Sequence, residues 1–225
     1  MNTKLKLALW ELGCVLWVAL AGSLLHFAFE LTDYWLPMAL IAAVNESAWE
    51  HTKMYFWPGL VWALVQFTYT RSYSNNYWFG KAMALIITPT IIMITYFGYM
   101  KWSFAMSIKP SLPLMLSIMI FGIFAGQIVS WKILASKPFA FHIQRYSIAS
   151  YAVLLAMFSL LTFIPPKHFV FENFACYTYT GEYGILKDYK PYRIFAKVDA
   201  QGNIQEGMGM NYCANNPFAK AAVKR

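Results

Sequence analysis

Residues 112–134 read LPLMLSIMIFGIFAGQIVSWKIL, a run in which Lys132 is the only charged residue. Its length suits a helix that crosses a bilayer, for which roughly 17–25 mainly apolar residues are needed. Four further segments are long enough to cross: Leu7–Phe29, Lys53–Tyr69, Phe79–Tyr99 and Ser147–Ile164. The sequence therefore predicts an all-α membrane protein, built from a bundle of about five transmembrane helices.

A shorter apolar run, Leu36–Val44, lies between the first two of these segments. It is too short to cross the hydrocarbon core of a membrane. Pro37 lies near its start, and proline is tolerated in the first turn of a helix. We therefore predict a short re-entrant or interfacial helix here.

The overall composition points to the same class. Hydrophobic residues make up 59% of the chain and charged residues 12%, whereas soluble domains average about 25% charged residues. Lipid must therefore solvate part of the surface, and the lipid bilayer is the first partner that the sequence implies. The net charge is +8, but no basic run with interleaved aromatic residues is present, so nucleic acid is not expected as a partner.

The first apolar stretch follows Lys4 and Lys6 and resembles the start of a signal peptide. It continues to about Phe29, however, which is longer than the apolar part of a signal peptide, and no clear A-x-A cleavage site follows. We interpret it as an uncleaved first span.

Basic residues in the short loops predict the orientation of the bundle. Five spans place seven of them on one side of the membrane: Lys4, Lys6, Arg71, Lys81, Lys132, Lys137 and Arg145. Only Lys53, Lys101 and Lys109 fall on the other side. Because cytoplasmic loops carry the excess of Lys and Arg, the N-terminus is expected in the cytoplasm and the C-terminal tail outside.

The composition becomes more polar from Pro165 onward, which predicts a transmembrane helical bundle over residues 1–165 and an extramembrane C-terminal tail over 166–225. Residues 192–198 alternate loosely in polarity and turn residues follow at 199–203, so the tail is either a small β-hairpin or irregular. Cys176 and Cys213 are a disulfide candidate if the tail faces an oxidising compartment; the alternative is two unpaired cysteines.

Acidic residues are absent from residues 51–171, which makes the string NESAWEH at residues 45–51 conspicuous. On a helix at about 100° per residue, one arc would carry these five residues: Glu46, Ser47, Glu50, His51 and Lys53. Ser23, His26 and Glu30 share a face of the first span. We therefore expect one outer-leaflet pocket that brings together these residues: His26, Glu30, Glu46, Glu50, His51 and, as a further candidate, His168.

Two main interpretations of this pocket remain open, and a proton relay is a third. Histidines with a carboxylate are typical of a catalytic zinc or non-haem iron site, which would make His26, His51, Glu46 and Glu50 ligands, with Glu46 or Glu50 as an alternative general base. Such a pocket could equally bind another cation or a small polar headgroup, and whether the protein is an enzyme stays open.

The second interpretation is structural. Asn45 or Ser47 suits a helix N-cap, and Ser47 with Glu50 forms a capping-box pattern. Ser23, Glu30, Asn45, Ser47 and Gln127 are then polar residues that join helices. In that case the protein is a non-catalytic accessory or assembly subunit with a membrane-protein partner.

Two strings, GSLLHF at residues 22–27 and AVNESAWEHTK at residues 43–53, resemble an uncharacterised family of small bacterial multi-span membrane proteins. Gly126-Gln127 in the fourth span, PPK at 165–167 and TGEYGI at 180–185 fit the same pattern. The resemblance covers about residues 10–185. It implies a bacterial inner-membrane location and brings no known substrate. Phe29-Glu30 departs from the Tyr-Asp pair expected after the histidine, and residues 186–225 extend beyond the usual end.

Overall fold

The computed structural model describes residues 2–33, 35–139, 143–166 and 168–171, together with the backbone of residues 197–198 and 204–205. Within these residues the chain forms five α-helices: α1 (Thr3–Leu31), α2 (Ala48–Thr70), α3 (Tyr77–Ala105), α4 (Leu112–Leu134) and α5 (Ile143–Leu160). Two 3-10 helices cover Leu36–Leu40 and Phe169–Phe171. The predicted all-helical class is confirmed.

Four of the described helices, α1, α3, α4 and α5, are long and apolar enough to cross a membrane. The helix α2 has 23 residues and is also long enough, but Glu50, Lys53 and Gln66 make its composition more polar. Membrane crossing by α2, which the count of five spans requires, therefore stays a prediction. The short run after α1 forms a 3-10 helix only over Leu36–Leu40, with Pro37 in its first turn.

The described helices form two compact units, and the first comprises Met1–Gly22 and Tyr55–Val153. One part of its core packs Cys14, Val15 and Val18 of α1 against Tyr55 of α2 and against Ile92 and Ile123 of α3 and α4. A second part, Leu7 with Tyr77 and Leu134, joins the start of α1 to the start of α3 and the end of α4. These three helix ends therefore lie at the same end of this unit.

Small residues allow α3 and α4 to approach closely. A Cβ atom added to Gly126 would lie 2.1 Å from the Thr88 hydroxyl and 3.0 Å from the Ala84 carbonyl. A Cβ at Gly122 would meet Ile92 at 2.3 Å. The Gly122-x-x-x-Gly126 pattern is therefore a helix contact, as small-residue patterns in membrane helices generally are.

The second unit comprises Ser23–Met54 and Leu154–Arg225. Its core packs Phe29 of α1 on Ala39, Ala42 and Val44, which belong to the connection between α1 and α2. Trp49 in the first turn of α2 stacks on Phe158 of α5 and also contacts Phe171. These contacts hold the α1–α2 connection and the start of α2 in one conformation.

Two short strands, β1 (Lys197–Val198) and β2 (Ile204–Gln205), pair antiparallel with Val198 opposite Ile204. This pairing agrees with the hairpin form of the predicted tail. Cys176 and Cys213 lie outside the described residues, so their pairing stays a prediction. The boundary between bundle and tail at residues 165–166 also stays a prediction.

Candidate metal centre

Three predicted residues come together in the second unit. His26 lies in the C-terminal part of α1, Glu46 lies in the connection before α2, and His51 lies in the first turn of α2. The helix α2 begins at Ala48 because Ser47 caps it: the Ser47 hydroxyl accepts a hydrogen bond from the Glu50 backbone N–H at 3.2 Å. Glu46 is thereby left outside the helix, between the two histidines.

The ligand atoms of these three residues converge. His51 Nε2 lies 3.4 Å from Glu46 Oε2, and His26 Nε2 lies 3.7 Å from Glu46 Oε1. One ligand atom from each residue falls within 4.8 Å of the other two. Both distances exceed those of ordinary N–H···O hydrogen bonds, which are about 2.7–3.2 Å. The 3.4 Å between His51 Nε2 and Glu46 Oε2 matches the separation of about 3.4 Å between two ligands that bind one tetrahedral zinc ion with bonds near 2.0–2.2 Å.

The ring of His51 is held in place by the backbone. Its Nδ1 atom lies 2.7 Å from the carbonyl oxygen of Ser47. A carbonyl can only accept a hydrogen bond, so Nδ1 must carry a proton and donate it. Metal-binding histidines are commonly oriented in this way, with the second ring nitrogen donating to a carbonyl or carboxylate. The other nitrogen, Nε2, is therefore the one directed at Glu46.

The site is partly open to its surroundings. The side chains of His26, Glu46 and His51 are 25%, 30% and 24% exposed. The two imidazole rings lie edge to face, 5.1 Å between centroids. Three protein ligands with an open side match the pattern of catalytic zinc sites, in which water or substrate takes a further position.

Burial and the two histidines act on Glu46 in opposite directions. Burial alone would raise the pKa of the Glu46 carboxyl, but contact with His51 and the positive charges that His51 and His26 can carry lower it below its usual value. The net effect is a lowered pKa, so Glu46 is ionised at neutral pH. An ionised carboxylate is the form that can bind a cation.

Glu50 does not join this cluster, which corrects the expected single arc. Because α2 begins after Glu46, the two glutamates are not neighbours on one helical face and do not repel each other there. The Glu50 carboxylate forms a salt bridge with Lys53 and accepts hydrogen bonds from the Thr162 hydroxyl at 2.8 Å and the Val44 N–H at 3.1 Å. The capping box is also incomplete, because the Ser47 N–H donates to Asn45 rather than to Glu50.

The Glu50–Lys53–Thr162 group is a buried lock. Lys53 and Thr162 are 0% exposed and Glu50 is 2% exposed. Lys53 also donates to the Ala39 carbonyl at 2.7 Å and to Thr162 at 2.9 Å. The lock thus joins the α1–α2 connection, the first turn of α2 and the residues just after α5.

Among the described residues, the ligand cluster does not include the remaining predicted residues. Ser23 and Glu30 are exposed on α1, and His168 is exposed just before the second 3-10 helix. Asn45 is buried and caps the turn at Ser47. Gln127 is buried in α4, and its Oε1 atom has no hydrogen-bond partner among the described residues.

A second buried charge pair, in the first unit, was missed by the sequence analysis. Lys81 of α3 donates to both carboxylate oxygens of Glu11 in α1, at 2.6 and 2.8 Å. Gln66 of α2 donates to the same carboxylate at 2.8 Å and accepts from the Trp62 indole N–H. The available signal was a glutamate inside an apolar run, because an ionisable residue there needs a partner.

The family model described as "Family of unknown function (DUF6512)" matches residues 1–185. The match includes all three residues of the cluster and both buried charge pairs. It confirms the expected likeness to an uncharacterised family. No curated protein and no solved structure matches the chain.

Proposed function

The chain belongs to this family of unknown function (DUF6512), and we propose that it is a membrane protein that binds a divalent metal ion, such as zinc or iron, through His26, Glu46 and His51. The cluster supplies two imidazole nitrogens and one carboxylate, a ligand set common to zinc and non-haem iron sites. The same open pocket could take another cation or the cationic group of a small polar headgroup.

The contact between His51 and Glu46 carries this proposal. With Nδ1 donating to Ser47, a neutral His51 turns the lone pair of Nε2 toward a carboxylate oxygen 3.4 Å away. Two acceptors at that distance repel each other, so a cation is needed between them. Protonation of Nε2 would make His51 itself the cation that faces Glu46. Because one ligand atom from each of the three residues lies within 4.8 Å of the other two, a metal ion that all three share is the cation we favour.

If bound, the metal would polarise a water molecule or a substrate oxygen at its open side. Glu50 is not available as a general base, since both of its oxygens are engaged by Lys53, Thr162 and Val44. Glu46 is committed to the two histidines. The protein's own residues would therefore bind the metal and keep the His51 ring oriented. We assign no reaction to the protein.

A second candidate function rests on the buried lock. Glu50, Lys53 and Thr162 are fully engaged with one another, as expected of residues whose role is to join helices. In an accessory or assembly subunit the histidine cluster would be a further polar contact of the same kind. We favour the metal site because the cluster, unlike the lock, is partly exposed and has separations longer than hydrogen bonds.

We further propose a bacterial inner-membrane location with the N-terminus in the cytoplasm, the C-terminal tail outside and the cluster in the outer leaflet. Lys53 and Lys81 are buried partners of glutamates and no longer count as loop charges. Without them, six basic residues remain on the proposed cytoplasmic side: Lys4, Lys6, Arg71, Lys132, Lys137 and Arg145. Lys101 and Lys109 remain on the other side, so the excess supports this orientation.

Elemental analysis tests the metal site. The protein would be purified in detergent, incubated with zinc chloride or with ferrous iron under anaerobic conditions, desalted and examined by plasma mass spectrometry. We expect close to one metal ion per chain in the wild type and in the matched control His168→Ala. His51→Ala and Glu46→Ala should lose it while keeping their helical circular dichroism.

Equal metal content in the wild type and His51→Ala would contradict the proposal. If neither binds metal and His51→Ala melts at a lower temperature than His168→Ala, the cluster is a structural contact. That result would favour the accessory-subunit function.

A further inference from the structure

An apolar groove runs along the exposed face of α4. It has a volume of about 530 Å³ and is lined chiefly by these residues: Leu116, Ile120, Phe121, Phe124, Ala125 and Ile128. Ser117 adds its only polar lining residue. The opposite face of α4, with Gly122 and Gly126, packs closely on α3. The groove therefore faces the lipid if α4 crosses the membrane.

Its length suits one lipid chain. Residues 116 and 128 are about 18 Å apart along a helix that rises 1.5 Å per residue. One leaflet of a bilayer has a hydrocarbon thickness of about 15 Å. The groove is centred on the middle of α4, so an acyl chain that begins beside Lys132 and extends about 15 Å covers the half of the groove nearer to Lys132.

A basic side chain, that of Lys132, lies at one end of the groove. Lys132 is exposed in the last turn of α4, seven residues after Ala125 and four after Ile128, so it continues the same helical face. The start of α1 lies beside this end, because the Trp131 indole N–H donates to the Lys4 carbonyl at 3.0 Å. The α2–α3 loop is there too, since the Asn76 amide donates to the Lys137 carbonyl.

These elements bring several exposed basic residues to this end of the first unit. They form a cationic rim: Lys4, Lys6, Arg71, Lys132 and Lys137. No exposed acidic residue opposes them among the described residues of the unit, whose one carboxylate side chain, Glu11, is buried against Lys81. A rim of this kind attracts phosphate groups at a membrane surface.

We propose that the groove and Lys132 together bind one anionic phospholipid, with an acyl chain along α4 and the phosphate at the cationic rim. Apolar lining alone would accept any lipid chain. The rim adds the preference for a negatively charged headgroup. This inference is independent of the metal site, which lies in the other unit.

Native mass spectrometry tests the proposal on the detergent-purified full chain. Phosphatidylglycerol and phosphatidylcholine with identical acyl chains would be added separately at equal concentration. We expect the wild type to retain one phosphatidylglycerol in preference to phosphatidylcholine. Lys132→Gln should reduce phosphatidylglycerol retention about fivefold, the effect of one basic residue near an anionic headgroup. The matched control is Lys101→Gln, which changes a lysine near the C-terminal end of α3, away from the cationic rim. It should behave as the wild type.

Ala125→Phe, which fills the groove, should reduce retention of both lipids. Equal retention of the two lipids by the wild type, or equal phosphatidylglycerol retention by Lys132→Gln and Lys101→Gln, would overturn the proposal. So would a wild-type dimer that Ala125→Phe dissociates, because a second copy of the chain would then occupy the groove.

Discussion

Glu46 and Glu50 lie four residues apart, yet their carboxylates contact different groups. Glu46 faces the imidazoles of His26 and His51, whereas Glu50 forms a salt bridge with Lys53. The first contact is partly exposed and the second is buried. One short string therefore contributes both to a partly open site, through Glu46 and His51, and to a buried polar lock, through Glu50.

Lys53→Met should strongly destabilise the protein. It leaves the Glu50 carboxylate buried without a cation, which typically costs about 3–5 kcal/mol. Thermal unfolding in detergent should show a clearly lower melting temperature than for Lys109→Met, which removes an exposed lysine. The double variant Glu50→Gln/Lys53→Met should recover much of the loss because no buried charge remains. Equal melting temperatures for Lys53→Met and Lys109→Met would show that the lock contributes no stability.

Glu11 and Lys81 should be energetically coupled. Removing either side chain alone, as Glu11→Ala or Lys81→Ala, leaves the other charge buried, while the double variant removes both. The double variant should therefore lose less stability than the two single losses combined, by about 0.5–3 kcal/mol. Equilibrium unfolding of all four proteins measures this difference. Strictly additive losses would mean that the contact contributes nothing of its own.

These two charge pairs show which features of the structure could be predicted from the sequence and which could not. Hydropathy and helix length predicted the five helices, because each apolar run sets its own extent. The single polar arc was wrong because Ser47 caps α2, so the helix begins at Ala48 and Glu46 lies outside it. The partners of Lys53 and Lys81 could not be predicted, because pairing between helices depends on tertiary packing rather than on local pattern.

Gly126→Ala should separate α3 from α4. The new methyl group would lie 2.1 Å from the Thr88 hydroxyl and 3.0 Å from a backbone carbonyl, which cannot move without moving the helix. We expect a loss of about 1–3 kcal/mol in the free energy of unfolding, the usual effect of overpacking. Gly98→Ala is the matched control, since nothing lies within 4 Å of its added Cβ. A similar melting temperature for both variants would argue against close packing at Gly126.

Metal retention should depend on pH through the histidines. Glu46 has a lowered pKa, so its carboxylate is fully ionised and able to bind metal above the usual glutamate pKa of 4.5. This contribution to metal binding is lost only as the pH falls through the still lower pKa of the folded protein. Burial alone would lower the pKa of the His51 imidazole, but contact with Glu46 and with the Ser47 carbonyl raises it above its usual value. As the pH falls, His51 is therefore protonated before Glu46, and a protonated imidazole cannot bind a metal ion. Metal content after dialysis at pH 5 to 8 should therefore be lower at pH 5 than at pH 8. Unchanged content at pH 5 would be inconsistent with histidine ligands.

The contact between Glu11 and Lys81 also has a consequence for biosynthesis. The two residues are 70 positions apart in the chain. At about 5–20 residues per second, Glu11 leaves the ribosome roughly 4–14 s before its partner. During that interval the first helix carries a carboxyl group that its final neighbour does not yet neutralise. We expect α1 to settle into the bilayer stably only after α3 has been made, so a ribosome-bound chain that stops before Lys81 should hold α1 less firmly in the membrane than one that continues past α3.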